Sequence, residues 1–346
     1  MNDVFRLGVS PDFYTEARDA TEKVIRERLA GLPDIEVVPM PAGIGKEATP
    51  ESLAPFDAIF ALATKVDAAS LAGVERLLCV ARWGVGYDRI DTEALTRAGV
   101  VLTITPNAVK RPVSEAIFAF IFALSKNLLM QDRIARAGRW RGDLPKLGID
   151  VGGTVLGSVG CGNIAREMFR LAQSLGFRRF LACDPYVAPE QVAHLHVELT
   201  DMDTVFRESD WVTVNTLLNK STEGLIQERH FRLMKPTAFF INTARGPIVD
   251  HPSLVKALRE RWIAGAGIDV FPVEPPPAED PLFTLDNVIV APHAMAWTEQ
   301  LMHNNGLEAC ENVLAVARGE LPPGAVNREV FENPLFVRKL ARWKRN

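Results

Sequence analysis

Short apolar runs alternate with helix-like stretches along most of this chain, and that alternation constrains the fold more than any other feature. In the first third the runs are Arg6–Val9, Glu36–Val38, Ala58–Leu62, Leu77–Ala81 and Val100–Ile104, separated by stretches such as Thr15–Ala30. A second series follows at Val155–Val159, Phe180–Cys183, Trp211–Val214, Ala238–Ile241, Ala266–Val270 and Val288–Val290. Parallel strands need a crossover, usually a helix, so strands spaced by helices predict βαβ units and parallel sheets. The expectation is an α/β chain of two doubly wound domains. Residues 107–295 form the nucleotide-binding one, inserted in a discontinuous partner made of 1–106 and 296–346. The return of the helix at about Thr298–Arg318 to the first domain is part of that expectation. Between the two series, Ser114 is expected to cap an apolar helix running to about Met130. A helix apolar on every side must be covered, by another domain or another subunit.

The second series opens with Gly160-Cys161-Gly162-Asn163-Ile164-Ala165, a G-x-G-x-x-A pattern after a strand and before a helical stretch. Gly160 permits a tight turn, Gly162 lets the backbone approach a pyrophosphate, and Ala165 allows close helix–strand packing. The N–H groups of the first helical turn, at Asn163 and Ile164, would face the phosphates. Asp184 ends the next strand, 22 residues after Gly162. A carboxylate there accepts hydrogen bonds from ribose hydroxyls and repels a 2′-phosphate, which selects NAD over NADP. The pattern is that of a Rossmann-type NAD domain.

Three later segments each place a reactive side chain after a strand: Asn242-Thr243-Ala244-Arg245-Gly246, Asp269–Pro275 and Pro292-His293. Reducing a 2-keto acid requires a cation for its carboxylate and ketone, a proton donor for the developing alkoxide, and a fixed hydride source. Guanidinium binds carboxylate bidentately and stays charged, which suits Arg245. Imidazole titrates near neutral pH, which suits His293 as acid–base, with Glu274 stabilising the imidazolium.

Together with Arg82-Trp83-Gly84-Val85-Gly86-Tyr87-Asp88, these segments resemble the signature set of the D-isomer-specific 2-hydroxyacid dehydrogenases, over roughly Leu7 to Gly319. The resemblance implies a flavodoxin-like substrate domain and an active site in the cleft between domains. It implies a homodimer, and Arg245, Glu274 and His293 as the catalytic set. Val85 and Gly86 would supply a second carboxylate clamp through backbone N–H groups, and Asp269 would contact the nicotinamide end. Cofactor contacts are thus expected at Gly160, Gly162, Asn163, Ile164, Asp184, Thr243 and Asp269. Substrate contacts are expected at Val85, Gly86 and Arg245, with Trp297 either walling the pocket or filling a core. The chain departs from the family pattern at Cys161, Ala165 and Leu217. Where phosphoglycerate-type relatives carry arginines, this chain has Ala61-Leu62-Ala63-Thr64-Lys65, which argues for an unphosphorylated 2-keto acid. 3-Phosphoglycerate dehydrogenase and a non-catalytic, NAD-sensing corepressor-like module are the alternatives.

Net charge is −4 from 39 basic and 43 acidic side chains, which gives no electrostatic reason to expect nucleic acid or an anionic membrane as partner. The N-terminus lacks a basic segment followed by an apolar one, so no signal peptide is expected. The four cysteines are widely spaced without C-x-x-C, as in a reducing cytoplasm, and no zinc spacing exists. The basic C-terminal stretch from Arg338 to Arg345 reads as a solvated or subunit-packing tail.

Overall fold

A computed structural model describes residues 4–41 and 47–344. The chain divides into two compact units, residues 1–109 with 297–346, and residues 110–296.

In the first unit, β1 (Phe5–Val9), β2 (Ile35–Pro39), β3 (Ala58–Ala61), β4 (Cys79–Arg82) and β5 (Val101–Thr103) form one sheet in the order β2-β1-β3-β4-β5. All pairings are parallel, the flavodoxin-like order. Helices α1 (Pro11–Glu16), α2 (Arg18–Arg28), α3 (Pro50–Leu53) and α4 (Thr92–Arg97) connect the strands. The expected single helix Thr15–Ala30 is instead α1 and α2, broken at Ala17, whose φ is −148°.

The second unit takes most of α5 (Pro106–Ser125), then α6 (Leu128–Arg136) and seven strands: β6 (Val155–Val159), β7 (Arg179–Cys183), β8 (Val197–Leu199), β9 (Trp211–Val214), β10 (Phe239–Asn242), β11 (Gly265–Ile268) and β12 (Val288–Val290). They lie in the order β12-β11-β10-β9-β6-β7-β8, again all parallel, the dinucleotide-binding order extended by one strand. Helices α7 (Asn163–Ala172), α8 (Met202–Glu208), α9 (Glu228–Leu233) and α10 (His251–Arg259) complete it. Central strands β6, β9, β10 and β11 are buried along their length, as a parallel sheet covered on both faces requires. Phe120 of α5 lies over Gly267, where an added Cβ would come within 2.6 Å of the ring, so only glycine admits that helix so close to the sheet.

Ser114 does not cap α5. The helix starts eight residues earlier, at Pro106, and the Ser114 hydroxyl donates to the carbonyls of Lys110 and Ile164. Nor does the helix reach Met130 unbroken. Asn127 takes a left-handed φ of 51°, and α6 leaves at 57° to α5. No single helix among the described residues is long and apolar enough to cross a membrane.

The chain returns to the first unit with α11 (Glu299–Ala317), whose start Thr298 caps by accepting the Leu301 N–H, and then α12 (Pro334–Ala341). The buried face of α11 joins the core formed by Phe5, Phe13, Phe60 and Trp83. The basic C-terminal stretch is not simply solvated. Lys339 is partly buried, and its ammonium donates to the carbonyls of Leu77, Ala98 and Gly99, while Phe336, Leu340 and Trp343 enter the core. Arg345 lies outside the described residues.

Candidate active site

The glycine turn follows β6 at the point where the strand order reverses, with β9 on one side and β7 on the other. Gly160 has φ +94°, and a Cβ there would lie 2.6 Å from the Asn215 carbonyl oxygen, so no other residue fits without displacing backbone. A Cβ on Gly162 would meet nothing within 4 Å, which leaves the turn open toward the first turn of α7. That turn carries the uncapped N–H groups of Asn163 and Ile164. Ala165 is buried against the sheet.

Asp184, just past β7, is half-buried. Its Oδ2 accepts the Cys161 N–H at 2.8 Å and its Oδ1 the Tyr186 N–H at 2.9 Å. Each oxygen keeps a further lone pair for a ribose hydroxyl. The turn has a second brace that residue-by-residue reading missed. Asn215 Nδ2 donates to both Ser158 and Thr213 hydroxyls at 2.9 Å, and these in turn donate to the carbonyls of Gly160 and Gly157. Each side-chain N–H and O–H of this ladder finds an acceptor, which makes buried polar groups tolerable. Its members stand on neighbouring strands more than 50 residues apart, so only the sheet order reveals it.

Strands β10, β11 and β12 are neighbours with Asn242 level with Ile268 and Ile268 level with Val290. Their carboxyl ends therefore deliver three loops side by side at strand spacing, about 4.8 Å apart. The first loop carries Thr243 and Arg245. The Thr243 hydroxyl is buried and has no hydrogen-bond partner. Arg245 is half-buried, and its Nη1 donates to the Ala244 carbonyl at 2.7 Å.

The second loop carries Asp269 and Glu274, and the third His293. Glu274 Oε2 lies 2.8 Å from His293 Nδ1, and Glu274 Oε1 accepts the Phe271 N–H at 3.1 Å. Burial pushes the Glu274 carboxyl up, but the His293 bond and charge, the Phe271 N–H and the Arg245 charge together hold it below its ordinary value. Glu274 is thus an ionised acceptor within the field of both Arg245 and His293. His293 sits at φ +56°, a left-handed backbone uncommon outside glycine and asparagine. Asp269 maintains that turn: it is almost fully buried, and its Oδ1 accepts the N–H groups of Ala294 and Met295 at 3.0 and 3.3 Å. Burial raises the Asp269 carboxyl, against the lowering effect of those N–H groups and of His293.

The remaining expected residues, Val85, Gly86 and Trp297, belong to the first unit. There Gly84 turns the chain at φ +125°, its N–H donating to Thr105 Oγ1 at 2.7 Å and its carbonyl accepting the Thr105 N–H at 3.1 Å. Thr105 Oγ1 donates in turn to Asn305 Oδ1 on α11, and Arg82 Nε to the Gly86 carbonyl at 2.9 Å. Trp297 is 41% exposed, so it does not fill a core.

An open glycine turn before a helix, a half-exposed carboxylate after the next strand and an orphaned hydroxyl at Thr243 together suit NAD. Acid–base and cationic side chains on adjacent strand ends suit a reaction beside it. The family model for the NAD binding domain of D-isomer specific 2-hydroxyacid dehydrogenases matches residues 118–295. A glyoxylate reductase of Thermococcus onnurineus is 38% identical over 316 residues, 89% of this chain and 93% of the relative. One of Korarchaeum cryptofilum is 38% identical over 280 residues, 80% of this chain and 84% of the relative. Among solved structures, the TT0316 protein of Thermus thermophilus superposes with a TM-score of 0.78 at 28% identity, over 93% of this chain and 100% of that one. The chain belongs to the D-isomer specific 2-hydroxyacid dehydrogenase family and is an NAD-dependent oxidoreductase of 2-keto and 2-hydroxy acids.

Proposed function

We propose that the physiological substrate is a small unphosphorylated 2-keto acid of the glyoxylate or hydroxypyruvate type, reduced to its D-2-hydroxy acid. Arg245 pairs with the substrate carboxylate and polarises the C2 carbonyl. His293, its Nδ1 engaged by Glu274, gives a proton from Nε2 to the carbonyl oxygen in reduction and takes it back in oxidation. When bound, the nicotinamide supplies or accepts the hydride at C2. Glu274 stays ionised and offsets the imidazolium charge. Thr243 and Asp269 orient the nicotinamide end, Asp184 the adenosine ribose, and the N–H groups of Asn163 and Ile164 the pyrophosphate. The backbone N–H groups of Val85 and Gly86 and the indole of Trp297 are further substrate contacts in this reading.

The observation that carries it is the 2.8 Å His293–Glu274 pair, one strand over from the Arg245 loop. The choice of an unphosphorylated acid is supported by Ala61 and Ala63. Lys65, the remaining cation of that segment, pairs with Asp67 and Glu47 at 3.1 and 3.6 Å. The similarity to glyoxylate reductases points the same way. A panel of keto acids, followed by NADH absorbance in the wild type and Arg245→Ala, tests it. Glyoxylate or hydroxypyruvate should be preferred over 3-phosphohydroxypyruvate. The variant should lose about 10²-fold or more in kcat/KM through both KM and kcat. Wild-type kinetics in the variant remove Arg245 from the mechanism.

We also infer a cytoplasmic homodimer. Leu128, Leu129, Trp140, Leu147 and Ile149 are exposed, and Leu129 lines a groove of about 400 Å³ between α6 and the β12 edge. Exposed apolar patches mark protein contacts. The four unpaired cysteines fit a reducing compartment. Light scattering on purified protein should give twice the chain mass, and a concentration-independent monomer would refute the dimer.

A further inference from the structure

Asn242 is the last residue of β10 and 2% exposed. Its Oδ1 accepts the Ala244 N–H and its Nδ2 donates to the Arg245 carbonyl, both at 3.0 Å. Its backbone carbonyl accepts the Asp269 N–H, also at 3.0 Å. One residue thus fixes the backbone on which Arg245 stands and the start of the segment whose carboxylate holds the turn after His293. We infer that Asn242 is a positioning residue for the reaction: its side-chain amide sets the direction from which Arg245 meets the substrate carboxylate.

The chemistry of the position is restrictive. The side chain must accept from one backbone group and donate to the next within a single turn, while buried. An amide does both; a carboxylate of the same shape only accepts, and an aliphatic side chain does neither. The loop is closed from its other side at Gly246, where a Cβ would stand 2.0 Å from the Phe271 carbonyl carbon. The Arg245 turn therefore lies directly against the backbone leading to Glu274. A loop braced on both sides has little freedom to recover if the Asn242 bond to the Arg245 carbonyl is lost.

The inference rests on the proposed role of Arg245 as substrate anchor, so the test is a double-mutant cycle in the full chain. Asn242→Asp keeps the acceptor for Ala244 and turns the donor facing the Arg245 carbonyl into a second acceptor. Asn242→Ser, which retains a weaker side-chain turn bond, serves if the aspartate variant does not fold. Each is made in the wild type and in Arg245→Ala. Kinetics use glyoxylate or whichever keto acid the panel prefers, and NADH affinity is read by fluorescence. The expected result is a loss of about tenfold or more in kcat/KM for the keto acid, carried mainly by KM, with NADH affinity within about twofold of wild type. In the Arg245→Ala background the same substitution should cause no further loss, because what it positions is gone. An equal loss in both backgrounds, or NADH affinity falling in parallel, overturns the inference. Wild-type turnover by Arg245→Ala alone would instead overturn the anchor reading; a crippled Arg245→Ala with an additive cycle overturns only the role of Asn242.

Discussion

Replacing Glu274 with glutamine retains the shape of the side chain and an acceptor for His293 Nδ1 but removes the charge. With Nδ1 and Oε2 2.8 Å apart, the two charge centres are separated by about 4 Å, worth about 1 kcal/mol in bulk water and about 4 near a protein surface. The side chains are 39% and 38% exposed, so solvent screens the pair and the lower part of that range applies. Taking about 1–2 kcal/mol as what the carboxylate contributes when His293 carries the proton of the proposed mechanism, and about 1.4 kcal/mol per tenfold in rate, Glu274→Gln should lower the reductase kcat by about tenfold. The charge is there to be lost, because His293, the Phe271 N–H and Arg245 hold the Glu274 carboxyl below its ordinary value, so it stays ionised through the neutral range. Initial rates of NADH consumption with saturating and subsaturating keto acid give both kcat and kcat/KM. If Glu274→Gln turns over at the wild-type rate, the charge of Glu274 has no part in the work of His293.

Two more substitutions probe the supports of the site. Asp269→Asn keeps an Oδ1 for the Ala294 and Met295 N–H groups, whereas Asp269→Ala orphans both; urea unfolding should show about 1–3 kcal/mol lost in the alanine variant beyond the asparagine one. Gly160→Ala forces a Cβ toward the Asn215 carbonyl at a positive φ; stability should fall by about 1–3 kcal/mol, and calorimetry should show NAD affinity weakened, whereas unchanged NAD binding would mean the turn does not cradle the phosphates.

Most of the sheet architecture can be read along the chain because parallel strands are buried on both faces and stand out as apolar runs. β8 does not: it is three residues long at the sheet edge, with Glu198 exposed in its middle, so no apolar run marks it. The break between α5 and α6 is equally silent, since it depends on Asn127 adopting a left-handed backbone among residues with helical pattern. At the site, Arg245, Glu274 and His293 are legible because their chemistry is unusual at strand ends. Ser158, Thr213, Asn215 and Asn242 are not, because a polar residue closing a strand has no meaning until its neighbours across the sheet are known.

The first unit is assembled from both ends of the polypeptide, and this has a consequence during translation. Its five strands are complete at Thr103, but α11, whose residues share a core with Phe13, Phe60 and Trp83, ends at Ala317. At about 5–20 residues per second the ribosome needs roughly 10–40 s to make the intervening segment. For that interval the nascent chain carries a sheet with one apolar face only partly covered, by α1 and α2, while residues 110–296 have everything they need to close. Protection of that face by chaperones, or a delay in its own collapse, is therefore part of what this chain order demands of the cell that makes it.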